Sequence, residues 1–417
     1  MGPIQLSYST FGLTDLSFAD ALAAVDEAGY DGVELSFHRR QFNPFELDDD
    51  ALAQVRRQLQ RLRVKPACMA TASHFFDPQR PHEPSLMSLD LAGRKRRIDL
   101  VRRGVRTARA LGVPLVSFGS GFIRDEHVRH PGVDPGEVLA DSIQQCLAEI
   151  GQGEDITLLV EPEPGMFIET IDQGLALVEA VGSPKFRLHV DLCHAWCSEH
   201  DIAGALARAA PLTRYLHVSD APAGYNLKIA SDAADLVFDL DFASVLVYFP
   251  DDAGFLLVDR RHPLHVADTP PDAARRRRID ALLARAGVDQ APVHVDYGNL
   301  HAGSSALDDE IFTYLISVPG LAFDVLERAL PILAYLRGAT CLPLVERRLA
   351  NTLTGLAHFH EIPGEGVLDF ASSFRTLADN GFSGYATVEL YHHVASWRQA
   401  LYHSHRHLAA VLAGARA

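Results

Sequence analysis

Short runs of strand-forming residues alternate with longer helical patterns through the first half of the chain, and this alternation limits the fold more than any other feature. Strands joined by helices form βαβ units with a parallel sheet. Seven strand-like segments of this kind precede residue 219, which favours a closed (β/α)8 TIM barrel over an open doubly wound sheet. The strand-like segments are residues 4–10, 32–37, 65–72, 114–119, 157–160, 187–192 and 215–218.

The alternation stops after residue 220 and resumes near residue 357. The interval holds strand-like runs at 236–242 and 245–249, a basic stretch at 260–278 and a largely helical stretch at 323–356. Loops at the C-terminal ends of barrel strands tolerate such additions. We therefore predict an α/β chain in which residues 1–220 and 357–417 form the TIM barrel. Residues 221–356 would form one large α+β insertion after strand seven.

The charge, cysteine content and apolar stretches of the chain limit what it can bind and where it is located. The 417-residue chain has a net charge of −16, which repels phosphate backbones and argues against a nucleic-acid partner. Its five scattered cysteines indicate reduced thiols and a cytoplasmic location. The N-terminus shows no secretory pattern, and charged residues interrupt the longest apolar stretch, residues 321–345. We therefore expect no membrane association.

Four polar side chains follow strand-like runs of the predicted barrel. Glu161 follows TLLV, Asp191 follows RLHV, His217 follows RYL and Glu389 follows YATV. Each stands where a barrel strand delivers a side chain to the catalytic face. A single glutamate in such a place is often an ordinary hydrogen-bonded residue. Four in barrel order are different, because buried charges cost several kcal/mol each unless they are paired or bind a metal.

This donor set predicts one divalent metal ion, with Mn²⁺, Mg²⁺, Co²⁺ and Zn²⁺ all compatible. Cys193 and Cys197 lie four residues apart on one predicted turn, but no second cysteine pair accompanies them. A structural zinc site built on thiolates is therefore disfavoured.

Several motifs give the chain a resemblance to a known family. It resembles the xylose isomerase-like TIM-barrel superfamily of sugar phosphate isomerases, epimerases, inosose dehydratases and endonucleases of the AP endonuclease family 2 type. The combination of HVDxxH with a later IPGEGxxDF is fairly specific, whereas VEL or VEP alone is not. The matching segments, in family order, are YDGVELSF, GRKRRIDLVRRGVRTARALGVPLVSFGSG, LLVEPEPG, HVDLCHAWC, LHVSDA, HFHEIPGEGVLDF and GYATVELY.

The resemblance implies roles for particular residues. It makes Glu161, Asp191, His217 and Glu389 the metal ligands, and it implies that Glu161 and Glu389 also exchange a substrate proton. His194 matches a histidine that contacts the substrate hydroxyl or carbonyl, and we count it as catalytic. Candidate substrate-binding residues are Glu34, His74, Glu163, His189 and His360. For His189, a hydrogen-bonded core histidine is an equal alternative.

The function that these residues imply is a metal-dependent isomerase or epimerase of a sugar, ketose or cyclitol. Two carboxylates would move a proton through an enediolate that the metal stabilises. The alternatives are a metal-dependent dehydratase or lyase on a related polyol or secondary metabolite, and a non-catalytic metabolite-binding barrel. The endonuclease branch is disfavoured because strand four, SFGSG, lacks the histidine of its multinuclear site. Family members of the sugar-isomerase type are often oligomers, so a homo-oligomer is a further expectation.

Overall fold

The computed structural model describes two compact units, Met1–Ala221 with His360–Ala417 and Pro222–Phe359. The described residues are 4–71, 75–76, 82–123, 125–164, 166–199, 201–221 and 360–415, with four short strands between 236 and 296. The predicted insertion boundaries, 221–356, stay a prediction. Its predicted helical stretch at 323–356 and basic stretch at 260–278 lie outside the described residues.

The first unit is a closed barrel of eight parallel strands, which confirms the predicted fold class and excludes the open sheet. Going round the barrel, the strand order is β1-β12-β7-β6-β5-β4-β3-β2, so every strand pairs with two neighbours. The strands are β1 (Gln5–Ser9), β2 (Gly32–Ser36), β3 (Lys65–Ala70), β4 (Leu115–Gly119), β5 (Thr157–Glu161), β6 (Phe186–Asp191), β7 (Thr213–His217) and β12 (Tyr385–Val388).

The second unit contains a separate antiparallel sheet. Its strands pair in the order β11-β10-β9-β8. They are β8 (Leu236–Asp239), β9 (Ser244–Phe249), β10 (Gly254–Asp259) and β11 (His294–Asp296). Strand β8 lies within the predicted run at 236–242, and β9 matches the run at 245–249 to within one residue. The other two strands were not predicted.

Helices follow the barrel strands, as the alternation of strand-like and helical patterns predicts. None of the described helices combines the length and the apolar composition that crossing a bilayer requires. The helices are α1 (Phe18–Ala28), α2 (Asp49–Leu59), α3 (Leu91–Leu111), α4 (Asp125–Arg129), α5 (Pro135–Leu147), α6 (Ile171–Val181), α7 (Leu192–Ser198), α8 (Ile202–Ala209), α9 (Phe370–Asp379) and α10 (Trp397–Ala415), with 3-10 turns at Thr10–Leu13 and Tyr391–Ser396.

Helix α7 corrects the sequence prediction, which continued the sixth strand through residue 192. The strand ends at Asp191 instead, because this side chain caps a new helix. Its Oδ1 accepts the backbone N–H of Cys193 at 2.6 Å and of His194 at 3.1 Å. An aspartate that accepts these otherwise unpaired N–H groups stabilises the first turn of a helix.

Apolar side chains fill the layer between the strands and the surrounding helices. Phe37, Leu100, Val116 and Phe374 are all fully buried there. A smaller cluster of Ala67, Cys68, Leu159 and Tyr215 is likewise buried. Burying a large apolar side chain stabilises a fold by about 1.5–3 kcal/mol. The packed core therefore gives the strand ends a rigid base.

Asp220, three residues after β7, ties together the two chain segments that flank the second unit. Asp220 and Glu361 exchange two backbone hydrogen bonds, of 2.8 and 2.9 Å. The Asp220 carboxylate accepts four backbone N–H groups at 2.9–3.0 Å, from Ala221, Gly364, Gly366 and Leu368. We call this arrangement the Asp220 clamp. It fixes the loop that follows His360.

Replacing Asp220 by alanine is expected to lower the free energy of unfolding by about 2–4 kcal/mol, because four backbone donors lose a charged acceptor. The comparison of midpoints in urea and thermal unfolding checks this. Asp172→Ala is the matched control, since Asp172 pairs with Arg208 at 3.1 Å with both side chains exposed. Exposed pairs contribute about 1 kcal/mol or less. An Asp220→Ala protein as stable as the control variant would contradict the clamp.

Candidate metal centre

Four side chains converge at the C-terminal ends of neighbouring strands. Glu161 ends β5, Asp191 ends β6, His217 ends β7 and Glu389 directly follows β12. His217 Nδ1 lies 3.3 Å from Glu161 Oε1, 3.5 Å from Glu389 Oε2 and 3.9 Å from Asp191 Oδ2. Because β5, β6, β7 and β12 are adjacent in the barrel, side chains far apart in sequence meet around one point.

Three atoms of this group are buried without a hydrogen bond. They are Glu161 Oε1, Asp191 Oδ2 and His217 Nδ1. Buried polar atoms are nearly always paired, so three that face one another need a common partner. A cation would be such a partner, and a set of three carboxylates with one imidazole fits a hard or borderline divalent ion. The residues present therefore fit the predicted metal.

The charges of the group favour the same occupant. Burial raises the pKa of Glu389 well above its usual value; His217 opposes this, while Glu161, Glu34 and Asp191 add to it. Burial acts to lower the pKa of His217, but Glu34, Glu389 and Glu161 together raise it well above its usual value. The carboxylates thus repel one another and outnumber the imidazole among them. A bound cation relieves this repulsion.

Two further histidines stand beside these four residues. His360 Nε2 lies 3.3 Å from His194 Nε2 and 3.7 Å from Asp191 Oδ2. His194 Nδ1 lies 3.2 Å from the carbonyl oxygen of Pro162 and 3.6 Å from Glu161 Oε1. Burial acts to lower the pKa of His194, yet Asp191, Glu161 and Glu163 raise it above its usual value. The structure therefore brings both predicted histidines to the same end of the barrel.

Glu34 and His189, both predicted to bind substrate, are fully buried and contact members of the group. Glu34 Oε2 lies 3.0 Å from His217 Nε2. His189 Nδ1 lies 2.8 Å from Ser117 Oγ and 3.4 Å from Glu161 Oε2. Burial, with His217 and His194, lowers the pKa of His189 well below its usual value, so its ring is neutral. The substrate-binding role of both residues stays a prediction.

Two predicted substrate contacts remain, Glu163 and His74, and the structure describes only the first of them. Glu163 is 8% exposed, and its Oε1 lies 3.8 Å from His82 Nε2. It follows Glu161 by two residues but does not join the four converging side chains. His74 lies outside the described residues.

Several polar residues that form hydrogen bonds next to these side chains were not predicted from the sequence. Thr387 Oγ1 donates to Tyr215 Oη at 2.6 Å, and Ser117 pairs with His189. A usable signal existed for two of them. Tyr215 lies two residues before His217, and Thr387 two before Glu389, which places each pair on one face of its strand. His393, whose Nε2 lies 3.2 Å from the His360 carbonyl oxygen, gave no comparable signal.

Fold and site together define a (β/α)8 barrel with a carboxylate–histidine centre at the C-terminal ends of its strands. Residues 22–246 match the xylose isomerase-like TIM barrel family, and the chain belongs to that family. The resemblance noted from the sequence motifs is thereby confirmed.

Individual relatives are more distant. The chain is 26% identical over 245 residues to L-ribulose 3-epimerase of Mesorhizobium japonicum, covering 56% of this chain and 73% of that protein. It is 24% identical over 129 residues to a putative hydroxypyruvate isomerase of Homo sapiens, covering 29% and 46%.

Solved structures show the same architecture. A structure of L-ribulose 3-epimerase superposes with a TM-score of 0.52 at 14% identity, covering 99% of this chain and 96% of that one. A xylose isomerase domain protein from Alicyclobacillus acidocaldarius also gives 0.52, at 15% identity, covering 99% and 100%. At this identity the likeness concerns the fold.

Proposed function

We propose that the protein is a divalent-metal-dependent isomerase or epimerase of a ketose, cyclitol or similar polyol. The observation that carries the proposal is the set of buried, unpaired atoms on Glu161, Asp191 and His217 at neighbouring strand ends. Membership of a family with relatives named L-ribulose 3-epimerase and putative hydroxypyruvate isomerase supports the reaction class.

The metal would be held by Glu161, Asp191, His217 and Glu389. When bound, a divalent cation polarises a carbonyl oxygen and so makes the hydrogen on the adjacent carbon more acidic. The oxygen atoms that ligate in such sites are also bases. The same carboxylates are thus available for proton transfer.

Glu389 is one candidate for carrying the proton. Burial raises its pKa well above the usual value of a glutamate, which makes its carboxylate a stronger base. We assign Glu389 and Glu161 to the two sides of the planar enediolate. A proton removed by one and returned to the same carbon by the other inverts that carbon, whereas return to the neighbouring carbon moves the carbonyl.

His194 and His360 are assigned to the substrate oxygens. Their Nε2 atoms lie 3.3 Å apart, so one ring donates a hydrogen bond to the other. A substrate oxygen would replace one ring as the partner in that bond. The raised pKa of His194 favours the form with both ring nitrogens protonated. A donor at this position would orient a hydroxyl or carbonyl oxygen beside the two carboxylates.

The test measures exchange of a carbon-bound hydrogen with solvent. Protein loaded with Mn²⁺ or Co²⁺ is incubated in D₂O with a panel of ketoses and inososes, and products are analysed by mass spectrometry and NMR. We expect one deuterium beside the carbonyl, a product isomeric with its substrate, and loss of exchange on treatment with EDTA that added metal restores. Loss of water would identify a dehydratase instead. Exchange that ignores EDTA, or tight binding without turnover, would contradict the proposal.

A further inference from the structure

Glu34 forms a hydrogen bond with Nε2 of the His217 ring from a strand that is not adjacent to the one carrying His217. It lies within β2, whereas His217 ends β7, and both β1 and β12 stand between these strands. The Oε2–Nε2 distance is 3.0 Å, and the side chains are 0% and 3% exposed.

We infer that Glu34 is a positioning residue that fixes the tautomer and direction of His217, so that its Nδ1 lone pair faces the metal. The inference rests on the proposed metal-dependent function. It gives Glu34 a role in holding His217, whereas the family resemblance implies a substrate contact at this position.

The chemistry of imidazole explains why one partner is sufficient. An imidazole that binds a metal is in its neutral form and carries a single N–H, so donation from Nε2 to Glu34 leaves a lone pair on Nδ1 for the metal. The other tautomer would point the Nε2 lone pair at the Glu34 carboxylate, which is repulsive. A carboxylate in this position also makes the ring a better electron donor to a metal.

The surroundings hold both partners in place. The backbone of Glu34 pairs with Ser9 on one side and Cys68 on the other, so it belongs to a rigid strand and not to a loop. The His217 ring meets His189 edge to face, with centroids 4.1 Å apart, and Tyr215 at 5.7 Å. Groups supported in this way keep their geometry when a ligand binds.

The first measurement is Mn²⁺ affinity by isothermal titration calorimetry. We expect Glu34→Ala to weaken binding by about 10–100-fold. Glu34→Gln should give a smaller loss, because its amide oxygen still accepts the Nε2–H but carries no charge. Glu199→Gln is the matched control: Glu199 is also buried and accepts the backbone N–H of Ile171 at 2.7 Å. It should bind Mn²⁺ within about twofold of wild type, since it touches none of the proposed ligands.

Thermal unfolding of each metal-free variant shows whether it is folded. If Glu34→Ala does not fold, Glu34→Gln, whose side chain has nearly the same shape, is used in its place. If wild type binds Mn²⁺ and both Glu34 variants bind it equally well, the inference is overturned while the proposed function stands. If wild type binds neither Mn²⁺ nor Co²⁺, the proposed function itself fails.

A second measurement reports on the tautomer and not on affinity. In Co²⁺-loaded protein, proton NMR in H₂O should show a strongly shifted N–H resonance from a ligating imidazole. We expect this resonance to be absent in D₂O and in His217→Asn, to persist in Glu199→Gln, and to vanish in Glu34→Ala, because an unprotected N–H exchanges rapidly with solvent. An unchanged, slowly exchanging resonance in Glu34→Ala would overturn the inference.

Discussion

Replacing Glu389 by glutamine is expected to slow exchange of the carbon-bound hydrogen by about 10²–10⁴-fold, the usual contribution of a positioned general base. The amide cannot accept the proton, although its oxygen can still face the metal. Deuterium incorporation measured on metal-saturated protein isolates the chemical step from metal binding.

Glu199→Gln again supplies the control, since it removes a buried carboxylate outside the candidate site. It should exchange hydrogen at the wild-type rate. Mn²⁺ titration of Glu389→Gln shows how much of its loss arises from weaker metal binding. A metal-saturated Glu389→Gln protein with wild-type exchange would rule out proton transfer by this residue.

Replacing Asp191 should have two separable effects, because its two oxygens have different surroundings. Oδ1 caps α7 through Cys193 and His194, whereas Oδ2 is buried without a hydrogen bond. We expect Asp191→Ala to weaken Mn²⁺ binding by more than about 100-fold, the upper range for losing an outer partner of a ligand. It should also destabilise the fold by about 1–2 kcal/mol through loss of the cap.

Asp191→Asn separates the effects, because its carbonyl oxygen can still cap the helix while the charged ligand is gone. Asp201→Ala is the matched control for the cap, since Asp201 accepts the N–H of Gly204 at 2.9 Å at the start of α8. The control should lose stability and keep Mn²⁺ affinity, as titration and thermal unfolding will show. Wild-type Mn²⁺ affinity in Asp191→Ala would remove Asp191 from the proposed ligand set.

The barrel could be predicted because its strands carry their signal locally. Runs such as GVELSF and PLVSFG are short, apolar and bounded by helical patterns, and a closed parallel sheet follows from repeating that unit. The end of β6 could not be read in this way. Strand-forming and apolar residues stand on both sides of Asp191, and only the capping bonds made by Asp191 show that α7 begins there.

The grouping of Glu161, Asp191, His217 and Glu389 follows from the same local signal, because parallel strands end at one edge. Contacts across the barrel carry no such signal. Glu34 meets His217 because of how the strands stagger and tilt on closing, which depends on the packing of the whole sheet. The substrate contact that the family resemblance implies for Glu34 stays a prediction, whereas its bond to His217 had no signal in the sequence.

The Asp220 clamp also affects how long the connection between β7 and β12 can be. The outgoing segment at Asp220 and the returning segment at Glu361 are hydrogen-bonded to each other, so the junction is already a closed hairpin base. Each doubling of a flexible connection adds only about 0.6 kcal/mol to the entropy of closing it. A few residues or an entire folding unit can therefore occupy the same junction, and the strand ends that hold the candidate ligands need not shift to accommodate either.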